Sequence, residues 1–232
     1  MCTQSTQVAL ITGAGTGIGR ACALRLDALG FSTVLAGRRA GPLRSLATTL
    51  RNRAMVIPTD VCDPEQRERL VRESLESFGH VDVLINNAGS GHLLPLGRWT
   101  SQELLDAFVL NALSAAMLIN DLWESLVSRQ AGTIINITSR AVVDPFPGLG
   151  PYAAAKSAMG SLCRSVRNEG GHLGIRAFEI APGAVETDLL RTIVSTTDLP
   201  ESDTLDPDDV AQVVERLITG QLQAENGSQI LI

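Results

Sequence analysis

The stretch Val8-Ala-Leu-Ile-Thr-Gly13-Ala-Gly15-Thr-Gly17-Ile-Gly19 decides how the rest of the chain is read. A short apolar run breaks into four glycines and leads into a helix-forming segment from about Ile18 to Leu29. Glycine reaches positive φ and lets backbone N–H groups approach a ligand closely. A helix that starts behind such a turn offers unpaired donors and a positive dipole end, which together favour a pyrophosphate. The spacing is G-x-x-x-G-x-G, not G-x-G-x-x-G, and a tight strand-to-helix turn without any ligand would look the same in isolation. Its place after the first strand of an alternating chain favours binding.

Outward from that turn, apolar runs alternate with helical patterns. Strands are expected at Val8–Ile11, Ser32–Ala36, Met55–Ile57, Val83–Ile85, Thr133–Ile137, Ile175–Ile180 and Gln229–Ile232. Between them, helices are expected at about Ile18–Leu29, Leu43–Leu50, Pro64–Phe78, Ser101–Val127, Tyr152–Gly170 and Pro207–Ile218. Asp63-Pro64-Glu65 supplies an N-cap, a first-turn proline and an acid at the positive dipole end, and Gly79 stops that helix. The residues from Asp188 to about Leu205 read as a short polar loop. Apolar strands each followed by a helix predict an α/β fold: a Rossmann-type doubly wound parallel sheet of about seven strands, with helices on both faces. Residues 1–232 read as one domain, with no linker or internal repeat.

The 232 residues are 44% apolar and only 3% aromatic, so core volume comes from Ala, Leu, Val and Ile. A net charge of −6 speaks against nucleic acid or an anionic membrane as partner. Met1–Gln7 has no basic, apolar leader, and no uninterrupted apolar run is long enough to span a bilayer, which points to a cytoplasmic protein. Cys2, Cys22, Cys62 and Cys163 are scattered and read as free thiols, with no metal site.

The end of the second strand bears on the choice of dinucleotide. It reads Gly37-Arg38-Arg39 where an NAD site would carry an acid for the ribose 2′-hydroxyl. One or two guanidiniums suit a 2′-phosphate, so NADP(H) is favoured over NAD(H). A solvated arginine pair is the plain alternative.

Of the basic residues only Lys156 is a lysine, and Tyr152 is the only tyrosine. Four apart on a helix, they share a face. A phenol with a pKa of about 10 is a good acid towards an alkoxide, and an ammonium a few ångströms away is expected to lower that value towards working pH. The pattern fits protonation of a carbonyl oxygen as hydride arrives at carbon.

Thr12-Gly13-x-x-x-Gly17-Ile18-Gly19, Asn86-Asn87-Ala88-Gly89, Asn111, Ser139, Tyr152-x-x-x-Lys156 and Pro182-Gly183 occur in the order and spacing of the short-chain dehydrogenase/reductase family, which the chain resembles over nearly its whole length. The resemblance implies an NADP(H)-dependent oxidoreductase acting on a small carbonyl or secondary alcohol, with Tyr152 as acid, Lys156 beside it, Ser139 on the substrate oxygen and Asn111 holding a water in a proton path. It places the cofactor on Gly13, Thr16, Gly17, Ile18 and Gly19, on Asp60 and Val61, on Asn87, Ala88 and Gly89, and on Pro182, Gly183, Val185 and Thr187. Asn87 has a second reading, as a brace between strands. Leu93, Val142, Phe146 and Leu190 suggest an apolar substrate pocket, with His92 and Arg140 at its edge. A homodimer or homotetramer is expected; the small residues around Ala154 and Ala158 allow close helix approach or serve the chain's own core. Two other classes compete, a non-enzymatic NADP-sensing module and a sugar-nucleotide epimerase or dehydratase.

Overall fold

The structure, a computed structural model, describes residues 6–232; Cys2 and the beginning of Met1–Gln7 lie outside the described residues. Seven strands form one parallel sheet: β1 (Val8–Thr12), β2 (Ser32–Gly37), β3 (Ala54–Pro58), β4 (Val83–Asn86), β5 (Gly132–Ile137), β6 (Ile175–Ala181) and β7 (Gln229–Leu231). Their order across the sheet is β3-β2-β1-β4-β5-β6-β7. The chain winds outward from β1 to β3, then crosses back to β4 on the other side of β1. A crevice opens at the carboxyl ends of β1 and β4, where parallel sheets of this kind take ligands.

Alternate residues of the strands feed two cores. Ile11, Leu35, Ile85, Ile135 and Ile180 pack under α1 (Gly17–Ala28), α2 (Ala40–Ala47) and α8 (Pro207–Ile218). Leu10, Val34, Leu84 and Ile134 pack under α3 (Pro64–Phe78), α5 (Ser114–Arg129) and α6 (Gly150–Gly170). Both faces of β1 are thereby covered, and all five of its residues are buried. The α3 signals act as read: the Asp63 carboxylate accepts from the N–H groups of Glu65 and Gln66, and Gly79 closes the helix at φ 79°.

Three local expectations are corrected. The second helix begins at Ala40, three residues early, and ends at Ala47 because the Thr48 and Thr49 hydroxyls donate back to Ser45 O and Leu46 O at 2.7 Å. The stretch read as one helix from Ser101 to Val127 is α4 (Ser101–Phe108), a π turn (Val109–Leu113) and α5. In a continuous α-helix the N–H of residue 111 would take the carbonyl of residue 107. Here the Asn111 side-chain amide occupies the Ala107 carbonyl at 2.9 Å, and the backbone ladder slips by one residue. The third correction is α7 (Asp188–Ile193) in what read as a loop; Thr187 caps it, its hydroxyl accepting from Leu190 N.

By length and composition Ser101–Arg129 is apolar enough to cross a membrane, which the sequence reading did not register. Its inner side instead serves the core, with Leu118, Leu122 and Leu126 almost wholly buried.

Candidate active site

The glycine turn shapes the crevice. Gly17 takes φ 51°, and a side chain there would press on Thr187, at 2.9 Å from its methyl. At Gly19 a Cβ would overlap the Gly13 carbonyl oxygen. Asn87 locks the turn from the next strand, its side-chain amide donating to Thr12 O at 2.9 Å and to Gly13 O at 3.3 Å. The bracing role weighed for Asn87 is thus what its amide does in this structure.

The resulting groove, about 1040 Å³ of open space, is lined by Gly13, Thr16, Gly17 and Ile18 at the turn and by Arg38 and Arg39 beyond β2. Asp60 and Val61 beyond β3, Asn87, Ala88 and Gly89 beyond β4, and Thr187 complete the lining that the sequence had suggested. Gly19 is not on the lining; it is the position that lets the turn close on itself. Gly37, Pro42, Leu43, Thr59, Leu110, Asp188 and Leu189 also line it and were not anticipated. Leu110 arrives there through the π turn, and Asp188 and Leu189 through α7, both of which sequence periodicity had missed. Arg38 and Arg39 are exposed, and neither is in an ion pair among the described residues. A cradle that rejects side chains, helix-end donors behind it and two free guanidiniums at the far end fit a dinucleotide diphosphate.

Pro182, Gly183 and Val185 stand beside that groove, not on its lining. Pro182 O accepts from Arg140 N at 2.7 Å, and Gly183 N donates to Ile232 O at 2.8 Å. Val185 is buried, and its carbonyl accepts from the Thr187 hydroxyl at 3.1 Å.

Tyr152 and Lys156 occupy the first two turns of α6. Its start is fixed by Trp99, whose ring lies where a Cβ of Gly150 would be and whose Nε1 donates to Leu94 O at 2.6 Å. Lys156 is 3% exposed; its Nζ donates to Ile137 O at 2.8 Å and stands 5.9 Å from the centre of the Tyr152 ring. A Cβ on Gly89 would lie 2.8 Å from Asn111 Oδ1 and 3.2 Å from Lys156 Nζ, so both groups converge on the groove's inner end. Asn111 also accepts from Ser90 N at 3.1 Å and donates to Ser90 O at 3.0 Å. Ser139, two residues beyond β5, accepts from Ala141 N at 3.2 Å, and its hydroxyl acts on the Tyr152 phenol to favour ionisation.

The charges differ from expectation in one respect. Burial raises the Tyr152 phenol above its usual value, and the Ser139 hydroxyl offsets this only in part. Burial also lowers Lys156 to about 8. As the protein stands, the ammonium is lost before the phenol ionises, so it does not acidify it in the way first expected. Near neutral pH the pair is a phenol beside an ammonium.

The residues suggested for a substrate pocket are dispersed. His92 and Tyr152 border a second, open cavity together with Ser90, Leu94, Glu103 and Asp106. Arg140 and Val142 form the short 3-10 turn after Ser139, and Leu190 lies on α7. Leu93 and Phe146 are exposed and line neither cavity, Phe146 by 72%.

Comparison with known proteins agrees with this architecture. The family model described as short chain dehydrogenase matches residues 7–198. An uncharacterized oxidoreductase of Listeria monocytogenes is 32% identical over 91% of this chain and 90% of its own length. Among solved structures, 3-ketoacyl-(acyl-carrier-protein) reductase from Brucella melitensis, complexed with NADH, is 27% identical with a TM-score of 0.91, covering 97% of this chain and 96% of that one. Actinorhodin polyketide ketoreductase with NADPH is likewise 27% identical, with a TM-score of 0.92 over 100% of this chain and 97% of its own. Motifs, sheet order and relatives agree: the chain is an oxidoreductase of the short-chain dehydrogenase family.

Proposed function

We propose that the protein reduces a ketone or aldehyde to an alcohol with NADPH. The observation that carries this reading is the phenol of Tyr152, followed one turn later by the buried ammonium of Lys156, at the inner end of a groove lined by the glycine turn. A nicotinamide dinucleotide bound there supplies the hydride. Ser139 holds the substrate oxygen, and Tyr152 gives it the proton as charge develops. Lys156, anchored to Ile137 O, keeps a positive charge near that oxygen at neutral pH. Asn111 binds Ser90 and lies near the ammonium, so it would hold the water through which a replacement proton reaches Lys156. The backbone around Pro182, Gly183 and Val185, with Thr187, would hold the nicotinamide end. The free pair Arg38 and Arg39 favours NADP(H), since guanidiniums match a 2′-phosphate. NADH and NADPH both occur among the bound relatives, so this preference rests on those two arginines.

The rest of the reading is a single catalytic domain. The free thiols of Cys22, Cys62 and Cys163 suit a reducing cytoplasm. A second copy is the partner we infer, seated on the apolar stripe of Leu105, Leu113 and Met117. The test is purified protein mixed with NADPH or NADH and a panel of ketones and aldehydes, followed at the reduced-nicotinamide band. Consumption of NADPH in preference to NADH is expected; no consumption of either with any carbonyl would overturn the proposal.

A further inference from the structure

A row of polar side chains crosses the sheet beneath α6. Asn86 of β4 is level with Asn136 of β5, Asn136 with Glu179 of β6, and Glu179 with Gln229 of β7. Asn86, Asn136 and Glu179 are each at most 3% exposed. The asparagines are linked to each other at 2.9 Å, and Asn136 donates to Met159 O of α6 at 2.9 Å. Glu179 is the unusual member, a carboxylate in an otherwise apolar strand segment, with no ion pair among the described residues. Oxygen Oε1 accepts from the Thr138 hydroxyl at 2.8 Å and from Gln229 Nε2 at 2.9 Å. Above it, α6 has Gly160, where any Cβ would overlap the carboxylate.

A buried carboxylate is costly unless its hydrogen bonds serve something. This one touches the two elements that carry the catalytic groups. Thr138 immediately precedes Ser139, and Gly160 lies one turn beyond Lys156 on the helix of Tyr152. From this geometry we infer that Glu179 is a positioning residue: it seats α6 on the sheet and holds the segment after β5, and so sets how Ser139 is placed relative to the Tyr152 hydroxyl. It is not on the groove's lining, and it acts through Thr138 and Gly160. The inference rests on the reading of Ser139 and Tyr152 given above.

Because Tyr152 is the only tyrosine, protein labelled with ¹³Cζ-tyrosine gives one resonance, whose position reports the phenol's hydrogen bond at neutral pH. Three variants are compared with the parent. Glu179→Ala removes the seat, Glu179→Gln keeps an acceptor oxygen for Thr138 and Gln229, and Thr138→Val removes only the hydroxyl. The other ionisable groups bordering Tyr152, namely Lys156, His92, Glu103, Asp106 and Cys62, stay as they are.

The resonance is expected to move in Glu179→Ala and in Thr138→Val, and to stay at the parental position in Glu179→Gln. Turnover of a reducible carbonyl should fall in the first two on the order of tenfold or more, with NADPH affinity, read by its fluorescence, unchanged. Parental resonance positions in both Glu179→Ala and Thr138→Val overturn the inference, as does a Glu179→Gln protein displaced as far as the alanine variant. Should Glu179→Ala not fold, the isosteric Thr138→Val decides alone. A parent that reduces nothing counts against the proposed reaction; the tyrosine resonance still judges Glu179.

Discussion

Lys156 is held where its charge is expensive. Its folded-state value of about 8 lies below the 10.5 of an open chain, because burial disfavours the ammonium. Below pH 8 the fold bears the full cost of that charge, about 3 kcal/mol; between the two values the unfolded chain binds the proton more, so stability rises with pH. Buried Cys22 and Cys163 act in the opposite sense. Their thiols are pushed up to about 12 from 9.0, and their contribution is lost as pH rises above the lower value. Comparison of the parent with Lys156→Met isolates the lysine. That variant is expected to be more stable at pH 7 by about 1–2 kcal/mol, after allowing for the lost bond to Ile137 O, and to lose the parent's gain above pH 8. Thermal melts from pH 6 to 9 check both; a less stable variant at pH 7 contradicts this account. The pairing of Tyr152 with Lys156 was legible in the sequence because helical geometry fixes i,i+4 neighbours. The direction of the phenol's shift was not legible, because burial depends on what packs around the ring.

Elements were legible where a local signal fixes them and lost where a distant group intervenes. Asp63, Pro64 and Gly79 bound α3 by themselves. At the π turn the Asn111 amide that takes the Ala107 carbonyl is also bound by Ser90, from a loop 21 residues earlier, and periodicity within α4 and α5 carries no trace of it. The same holds for α7, whose position over the groove is latched by Arg191. Its guanidinium pairs with both oxygens of Glu186 and donates to Leu199 O at 2.8 Å, while the Thr204 hydroxyl donates to Glu186 Oε2 at 3.2 Å. This latch holds Thr187 against Gly17 and Ile193 near Gly91. Arg191→Met should loosen α7 with little change in global stability, because the pair is solvent-screened. Hydrogen exchange over 186–205 is expected to accelerate roughly five- to thirtyfold. Unchanged protection there would show that packing, not the latch, holds the element.

At the scale of the whole molecule, the parallel sheet and its two helix layers were readable because alternating apolar runs and helices admit few other architectures. The groove's glycine and arginine ends were readable for the same reason. The substrate side was not, since exposed residues such as Leu93 and Phe146 take their places from loops with no periodic signal. The stripe of Leu105, Leu113 and Met117, between 46% and 52% exposed, suits burial against a second copy. Sedimentation of Leu113→Glu should therefore give half the parent's mass; equal masses would remove the dimer from the account. The central claim is that one phenol delivers the proton while the groove holds the dinucleotide independently of it. Tyr152→Phe tests this most directly, with turnover and NADPH affinity measured on the same preparation. Turnover is expected to fall about a hundredfold or more, with affinity within about twofold of the parent. Parental turnover by the phenylalanine variant would contradict it.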